Sequence, residues 1–194
     1  MKKVIAIALL CTAPFSMTMA EQEEMKRRVA ESKEVVKSFM TELGGELRRA
    51  MKTGGPVKAI EVCNLIAPSI AKTQSEKHGW EVGRTSLKLR NSNNAPDAWE
   101  TGVLKKFEER AAAGEAVAQM AHFEVVEQNG VKRFRFMKAI GMPPLDKAPC
   151  LKCHGESIDD KVAAKLDELY PNDQARGYKP GMIRGAFTIS QPME

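Results

Sequence analysis

No stretch of this chain repeats another, which excludes a solenoid or propeller built from stacked units. No apolar run of membrane length follows residue 20, so no later segment is expected to cross a bilayer, which takes about 20 apolar residues. Charge of one sign is in short excess: 30 Lys and Arg stand against 25 Asp and Glu, interspersed along the 194 residues. No nucleic-acid partner is expected, since phosphate binding needs a concentrated basic face. Histidine is scarce, at three residues, and cysteine numbers four. With so few metal-binding side chains, where they fall carries most of the information.

Two of the cysteines and one histidine fall within Cys150-Leu151-Lys152-Cys153-His154, the spacing of a c-type haem attachment site. Two thiols two residues apart can add to the two vinyl groups of one porphyrin. The histidine that follows is then held where its imidazole can bond the iron. Three other readings compete. Cys63 with Cys150, Cys153 and His154 would make a Cys3His zinc set, although Cys153 and His154, adjacent in sequence, fit poorly around one tetrahedral ion. A thioredoxin-like dithiol wants its pair at a helix start in an alternating strand and helix pattern, whereas this pair follows the loop Met142-Pro143-Pro144-Leu145-Asp146-Lys147-Ala148-Pro149. A chance match is the third.

Export separates these readings, because haem is attached to such a motif outside the bacterial inner membrane. Residues 1–20 read as a signal peptide: Lys2 and Lys3 form a positive region, Val4 to Leu10 an apolar core, and Thr18-Met19-Ala20 a small-residue cleavage site. Cys11 would suggest a lipoprotein, but Leu10 is a poor fit to the small residue expected before a lipidated cysteine. The mature chain is expected to be one domain, residues 21–194, large enough to bury a core and a porphyrin. Loss of Lys2 and Lys3 takes the formal charge from +5 to +3. The location expected is the periplasm, without a membrane span.

Cysteine arithmetic leaves one thiol over. Cys11 departs with the signal and two thiols form thioethers, so Cys63 stands alone in an oxidising compartment. It reads either as a small buried hydrophobe or as the sixth ligand of the iron. Pro56, after Gly54-Gly55, suits the first turn of a helix, and Ile60, Cys63 and Ile66 or Ala67 recur at helical spacing, which turns Cys63 to the core. Competing ligands are Met120, Met137, Met142 and Met182, since methionine often partners histidine on haem iron. His78 and His122 read as surface residues.

The rest reads as α+β. A helix is expected over Glu21 to Met51, with a kink at Gly44-Gly45 in view, ended by Thr53-Gly54-Gly55. Pro68 should interrupt the next helix and restart it as another, ending near His78-Gly79. A strand is expected over Glu81 to Leu87 and a helix after Pro96 that buries Trp99, Val103 and Phe107. Val117 to Gln128 and Val131 to Ile140 should form a hairpin about Asn129-Gly130, with Phe134, Phe136 and Ile140 on one face and Arg133, Arg135 and Met137 on the other. A helix over Ser157 to Tyr170 and a strand over Met182 to Ser190 complete the reading.

Five stretches then carry a resemblance: Ala59-Ile60-Glu61-Val62-Cys63, Gly83 to Asn91, Asn93 to Glu100, Cys150 to Gly155, and Ile183-Arg184-Gly185-Ala186. In this order they resemble the periplasmic single-haem c-type proteins with a PAS-like fold, long called a domain of unknown function. The resemblance implies a PAS-like antiparallel sheet with flanking helices and one covalent haem c. It implies His154 and Cys63 as the iron's two axial ligands. Ser92 stands where proline is more usual in the family. A thiolate donates electron density and lowers the reduction potential relative to a Met/His pair. It is also displaced more readily once iron is reduced.

The function expected is therefore one-electron transfer or redox sensing, without enzymatic activity. A gas sensor for NO or CO, in which Cys63 leaves the iron, is the alternative, with a haem peroxidase behind it. Arg90, with Arg84 and Asn94 nearby, suits the haem propionates, because charge-assisted hydrogen bonds offset their burial; for Asn94 a plain turn before the helix reads better. Cys150, Cys153, His154, Cys63 and Arg90 form the expected site. A redox partner protein is expected, and the long N-terminal helix offers a surface for a homodimer as well as for its own core.

Overall fold

A computed structural model describes residues 18–128 and 130–193. Residues 1–17, most of the expected signal peptide, lie outside the described residues. The helices are α1 (Met19–Glu61), α2 (Ala67–His78), α3 (Ala98–Ala112), α4 (Leu151–His154) and α5 (Asp160–Leu169). The strands are β1 (Glu81–Thr85), β2 (Ala121–Gln128), β3 (Val131–Gly141) and β4 (Ile183–Pro192). They form one antiparallel sheet in the order β1-β4-β3-β2. This is the expected α+β class, an antiparallel sheet with helices on it and a long helix at the start.

Alternation along the strands explains why both faces are covered. Side chains two apart share a face, so Phe134 and Phe136 of β3 meet Phe187 and Ile189 of β4 under the α1 residues Val35, Val36, Phe39 and Leu43. Phe39 packs edge-on to Phe187 at 5.2 Å. The intervening residues Met137, Ala139 and Ala186 meet Val103, Leu104 and Phe107 of α3 on the opposite face. Arg135 shares that second face and is buried. Asp97 and Glu100 pair with it, Trp99 covers it at 4.4 Å, and the first turn of α3 is thereby fastened to β3. The apolar stripe of α1 is spent on this core.

Three differences from the sequence reading have physical causes. Gly44-Gly45 stays helical, and the break in α1 comes at Gly55, whose φ of 67° and ψ of −160° leave the helix before Pro56 starts its next turn. Only glycine takes that φ without cost. Pro68 restarts the helix as expected, in the first turn of α2, which ends at His78-Gly79; the difference lies in the interruption, where Val62–Ile66 widens into a π-helical turn that runs directly into α2. Proline lacks an N–H and its ring crowds the carbonyl four residues back, here Asn64, and a wider turn accommodates both. The hairpin strand begins at Ala121, because Val117–Gln119 coils into a 3-10 turn that places Val117 against Gly141. β1 likewise ends at Thr85 rather than Leu87. Gln128 pairs with Val131 across the two-residue turn, of which Asn129 lies outside the described residues.

Candidate functional site

The Cys-x-x-Cys-His segment is one helical turn set into a loop. His154 N–H donates to Cys150 O at 3.1 Å and Gly155 N–H to Leu151 O at 2.9 Å. Residues three and four apart share a helix face, so Cys150, Cys153 and His154 point to one side. Leu151 points to the other, into a small core with Met142, Ala175 and Tyr178. Tyr178 N–H donates to His154 O and Gly177 N–H to Gly155 O, both at 2.9 Å, which ties the turn to the strand-like stretch that follows α5. Neither motif cysteine is in a disulfide.

His154 is oriented by its surroundings. Its Nδ1 lies 2.8 Å from Ala175 O, and a carbonyl only accepts, so Nδ1 carries the proton and Nε2 keeps the lone pair a metal needs. Burial, with the Arg90 and Arg184 charges, holds the imidazole well below its ordinary pKa. It is neutral, as a ligand must be. Arg90 stands behind it. The guanidinium makes a two-pronged pair with Asp173, both contacts at 3.0 Å, and donates to Cys153 O at 2.6 Å and Ala175 O at 3.1 Å. Its Nη1 is 3.4 Å from His154 Nε2.

Cys63 approaches from another wall. It lies in the π-helical turn between α1 and α2, and π turns insert one residue that re-aims its neighbours. Burial raises its thiol pKa, against the pull of Arg84, Arg90 and Arg184. Burial likewise raises Cys150, and pushes Cys153 up to about 11.

Cys63, Cys150, Cys153 and His154 all line one cavity of about 680 Å³. Leu43, Leu47, Ile60, Leu89 and Ile140 make its apolar walls. Arg48, Lys52, Arg84, Arg90 and Arg184 also face it, and among the described residues no aspartate or glutamate does. Arg84, on β1 within the expected strand, lies over the Phe39 ring at 5.5 Å. Arg184 donates to Ser86 Oγ at 2.8 Å and covers Tyr178. Gly185 is required here, since a Cβ would stand 2.3 Å from Thr85 O and part β4 from β1 at the cavity edge.

The sequence reading thus finds its five site residues around one space. Of the competing ligands, Met142 lines the cavity, whereas Met120 and Met137 are buried under α3 and Met182 is 41 % exposed at the surface. His78 stacks on Trp80, and His122 lies against Trp99. Neither reaches the cavity. Asn94 does line it, while its carbonyl accepts from Thr85 Oγ1. Sequence reasoning missed Asp173, Ala175, Arg48, Lys52 and Met51. Arg184 was legible as part of the Ile183 to Ala186 stretch. Among the described residues no three Cys, His, Asp or Glu side chains gather closely enough to hold a single metal ion; the four candidate donors are spread round a larger space.

Comparison with known proteins bears on the fold and the family. No curated protein matches the chain. Among solved structures, the one titled crystal structure of the cyanobacterial heme-protein Tll0287 matches with a TM-score of 0.66 and 23 % identity, over 87 % of this chain and 96 % of that one. The likeness shows the fold. The model of the Tll0287-like family matches residues 16–192, and the chain belongs to that family.

Proposed function

We propose that the chain holds one covalent haem c in this cavity and serves in one-electron transfer or redox sensing after export to the periplasm. The observation that carries this reading is that Cys63, from the turn between α1 and α2, lines the same cavity as Cys150, Cys153 and His154. The residues fit the group. The cavity volume falls within the roughly 300–1,000 Å³ of cofactor sites. Its apolar walls suit a porphyrin, and its cationic lining without carboxylates suits two propionates. A relative described as a heme-protein supports the same cofactor.

Bound haem supplies a one-electron iron couple. Each residue then has a task. The Cys150 and Cys153 thiols supply the two thioether links, and His154 Nε2 is the proximal donor, held by Ala175 O through Nδ1. Cys63 would supply a second donor to the iron. Arg84 and Arg184 offer donors to the propionates. Arg90 has most of its donors spent on Asp173, Cys153 and Ala175, so it chiefly braces the His154 turn and presents only Nη1 to the cavity.

A second reading has one observation in its favour. Cys63 sits in a π turn beyond the break at Gly55, so it can leave the iron without unfolding either long helix, and NO or CO could take its place. One experiment addresses both readings. Purified holo-protein should keep its haem through acid and solvent extraction, and its oxidised and reduced absorption spectra should show six-coordinate iron. Haem that extracts freely, or zinc in its place, overturns the cofactor assignment.

A further inference from the structure

Basic side chains line up along α1 beside the cavity. Lys33, Lys37, Thr41, Gly44, Arg48 and Lys52 follow at steps of three or four residues, which places them on one helix face. No carboxylate falls in that stripe, and its four cations are exposed. The stripe borders a groove of about 450 Å³ between α1 and β3, walled also by Val36, Met40 and Lys138. Arg48 lines both this groove and the cofactor cavity. The groove therefore leads to the cavity rim.

The charge there is not cancelled locally. Lys37 has Glu34 at 3.8 Å, a contact between side chains 76 % and 74 % exposed and so worth little. Lys33, Arg48 and Lys52 have no ion pair among the described residues, and the nearby Glu46 is taken by Arg49, off the stripe. Burial, together with the Lys33 and Arg110 charges, holds the Lys138 ammonium below its ordinary pKa. Met40 is 55 % exposed within the groove. An apolar centre with a charged rim is how protein interfaces are built.

We infer that this groove docks an acidic electron-transfer protein, an inference that rests on the redox reading above. Complementary charge speeds and orients encounter, and a partner seated here meets the cavity at Arg48. The groove is concave, which suits a protruding acidic segment of a folded partner better than a flat lipid surface.

The test uses ferrous holo-protein with an acidic cupric blue-copper protein as oxidant, and ferric holo-protein with an uncharged low-potential quinol as reductant, so that electrons run downhill from the low-potential iron in the first case and onto it in the second. Lys33 and Lys37 lie outside the cavity lining, so the Lys33→Glu/Lys37→Glu pair alters the groove and leaves the cofactor walls intact. With the copper protein, the rate at low salt should fall roughly tenfold in this variant, its salt dependence should flatten, and the dissociation constant by titration should rise by a similar factor. The quinol rate should not change. Lys77→Glu/Lys161→Glu, the same charge change on α2 and α5, should keep at least half of the wild-type rate. An equal loss in both variants, or none in the first, overturns the docking surface. Absence of electron exchange with the quinol sinks the redox reading instead, and the titration still decides the surface. Pelleting with phosphatidylglycerol vesicles that the Lys33→Glu/Lys37→Glu change abolishes would assign the groove to a membrane and overturn the inference.

Discussion

Arg90 and Asp173 set the position of His154 through two carbonyls, Cys153 O and Ala175 O, and Arg90 Nη1 also stands 3.4 Å from the imidazole Nε2. Asp173 is 1 % exposed and Arg90 7 %, so removing Asp173 leaves the Arg90 guanidinium buried without its carboxylate. Asp173→Ala should cost about 3–5 kcal/mol, read as a lowered unfolding midpoint. The pH dependence has a definite sign. Burial raises the Asp173 carboxyl, but donors from Arg90 and Arg176 outweigh it and hold the pKa below the ordinary 3.8. The unfolded chain thus takes up the proton first on acidification. The stabilisation is complete above pH 3.8 and is lost as pH falls through the folded pKa. Thermal melts from pH 6 down to pH 2 should show wild type losing this increment at the acid end, and Asp173→Asn should lack that step. On the facing wall, Cys63→Ser should abolish the sulfur-to-iron charge-transfer band, alter the ferric electron-spin resonance spectrum and raise the reduction potential. Coincident spectra would give the ligand role to Met142, the competing side chain that shares the cavity.

Among the elements, the π turn decides where Cys63 points. Leu65 is 67 % exposed, so its deletion removes no core contact. Deletion should return Val62–Ile66 to α-helical phase and turn the two flanking faces by about 100° relative to each other. With α2 held by Ala67 and Ile70, the thiol should swing off the cavity. The holo-protein should then give the spectra of Cys63→Ser while keeping covalent haem; wild-type spectra would show that the π turn does not aim the sulfur. This element also marks the limit of what the sequence could reveal. Periodicity placed Cys63 on the core side and Pro68 signalled a disturbance, but the choice between a stop and a wider turn depends on the Asn64 carbonyl and on how α2 docks. The hairpin, the two faces of β3 and the attachment turn were legible because alternation and short spacing are local. Asp173 and Ala175 were not, because they reach His154 only through the fold, 19 and 21 residues further along the chain. The basic stripe was hidden by composition, since Lys33, Lys37 and Arg48 have glutamates within three positions in sequence and the excess of cations shows only when the helix sorts its residues by face.

For the whole molecule, the question is whether a change at iron stays local. The cavity is shared by α1, the π turn, β1, the ends of β3 and β4, and the attachment loop. On the α1 side, the break at Gly55 separates a long segment fixed to the sheet by Val35, Phe39 and Leu43 from the short one that carries Ile60 and leads to Cys63. Loss of the sulfur bond would therefore be absorbed between residues 55 and 66 and leave the sheet undisturbed. Reduction favours that loss, because ferrous iron holds thiolate less firmly. Hydrogen exchange should rise on reduction in residues 55–66 and stay unchanged in β3 and β4. CO should bind the ferrous protein slowly and in part, since Cys63 must first leave a wall that Ile60 and the α5 residues Val162 and Leu166 hold in place. Fast, complete CO binding with no rise in exchange would mean that Cys63 is already off the reduced iron without any movement of its segment, and the gas-sensing reading would then replace the redox one.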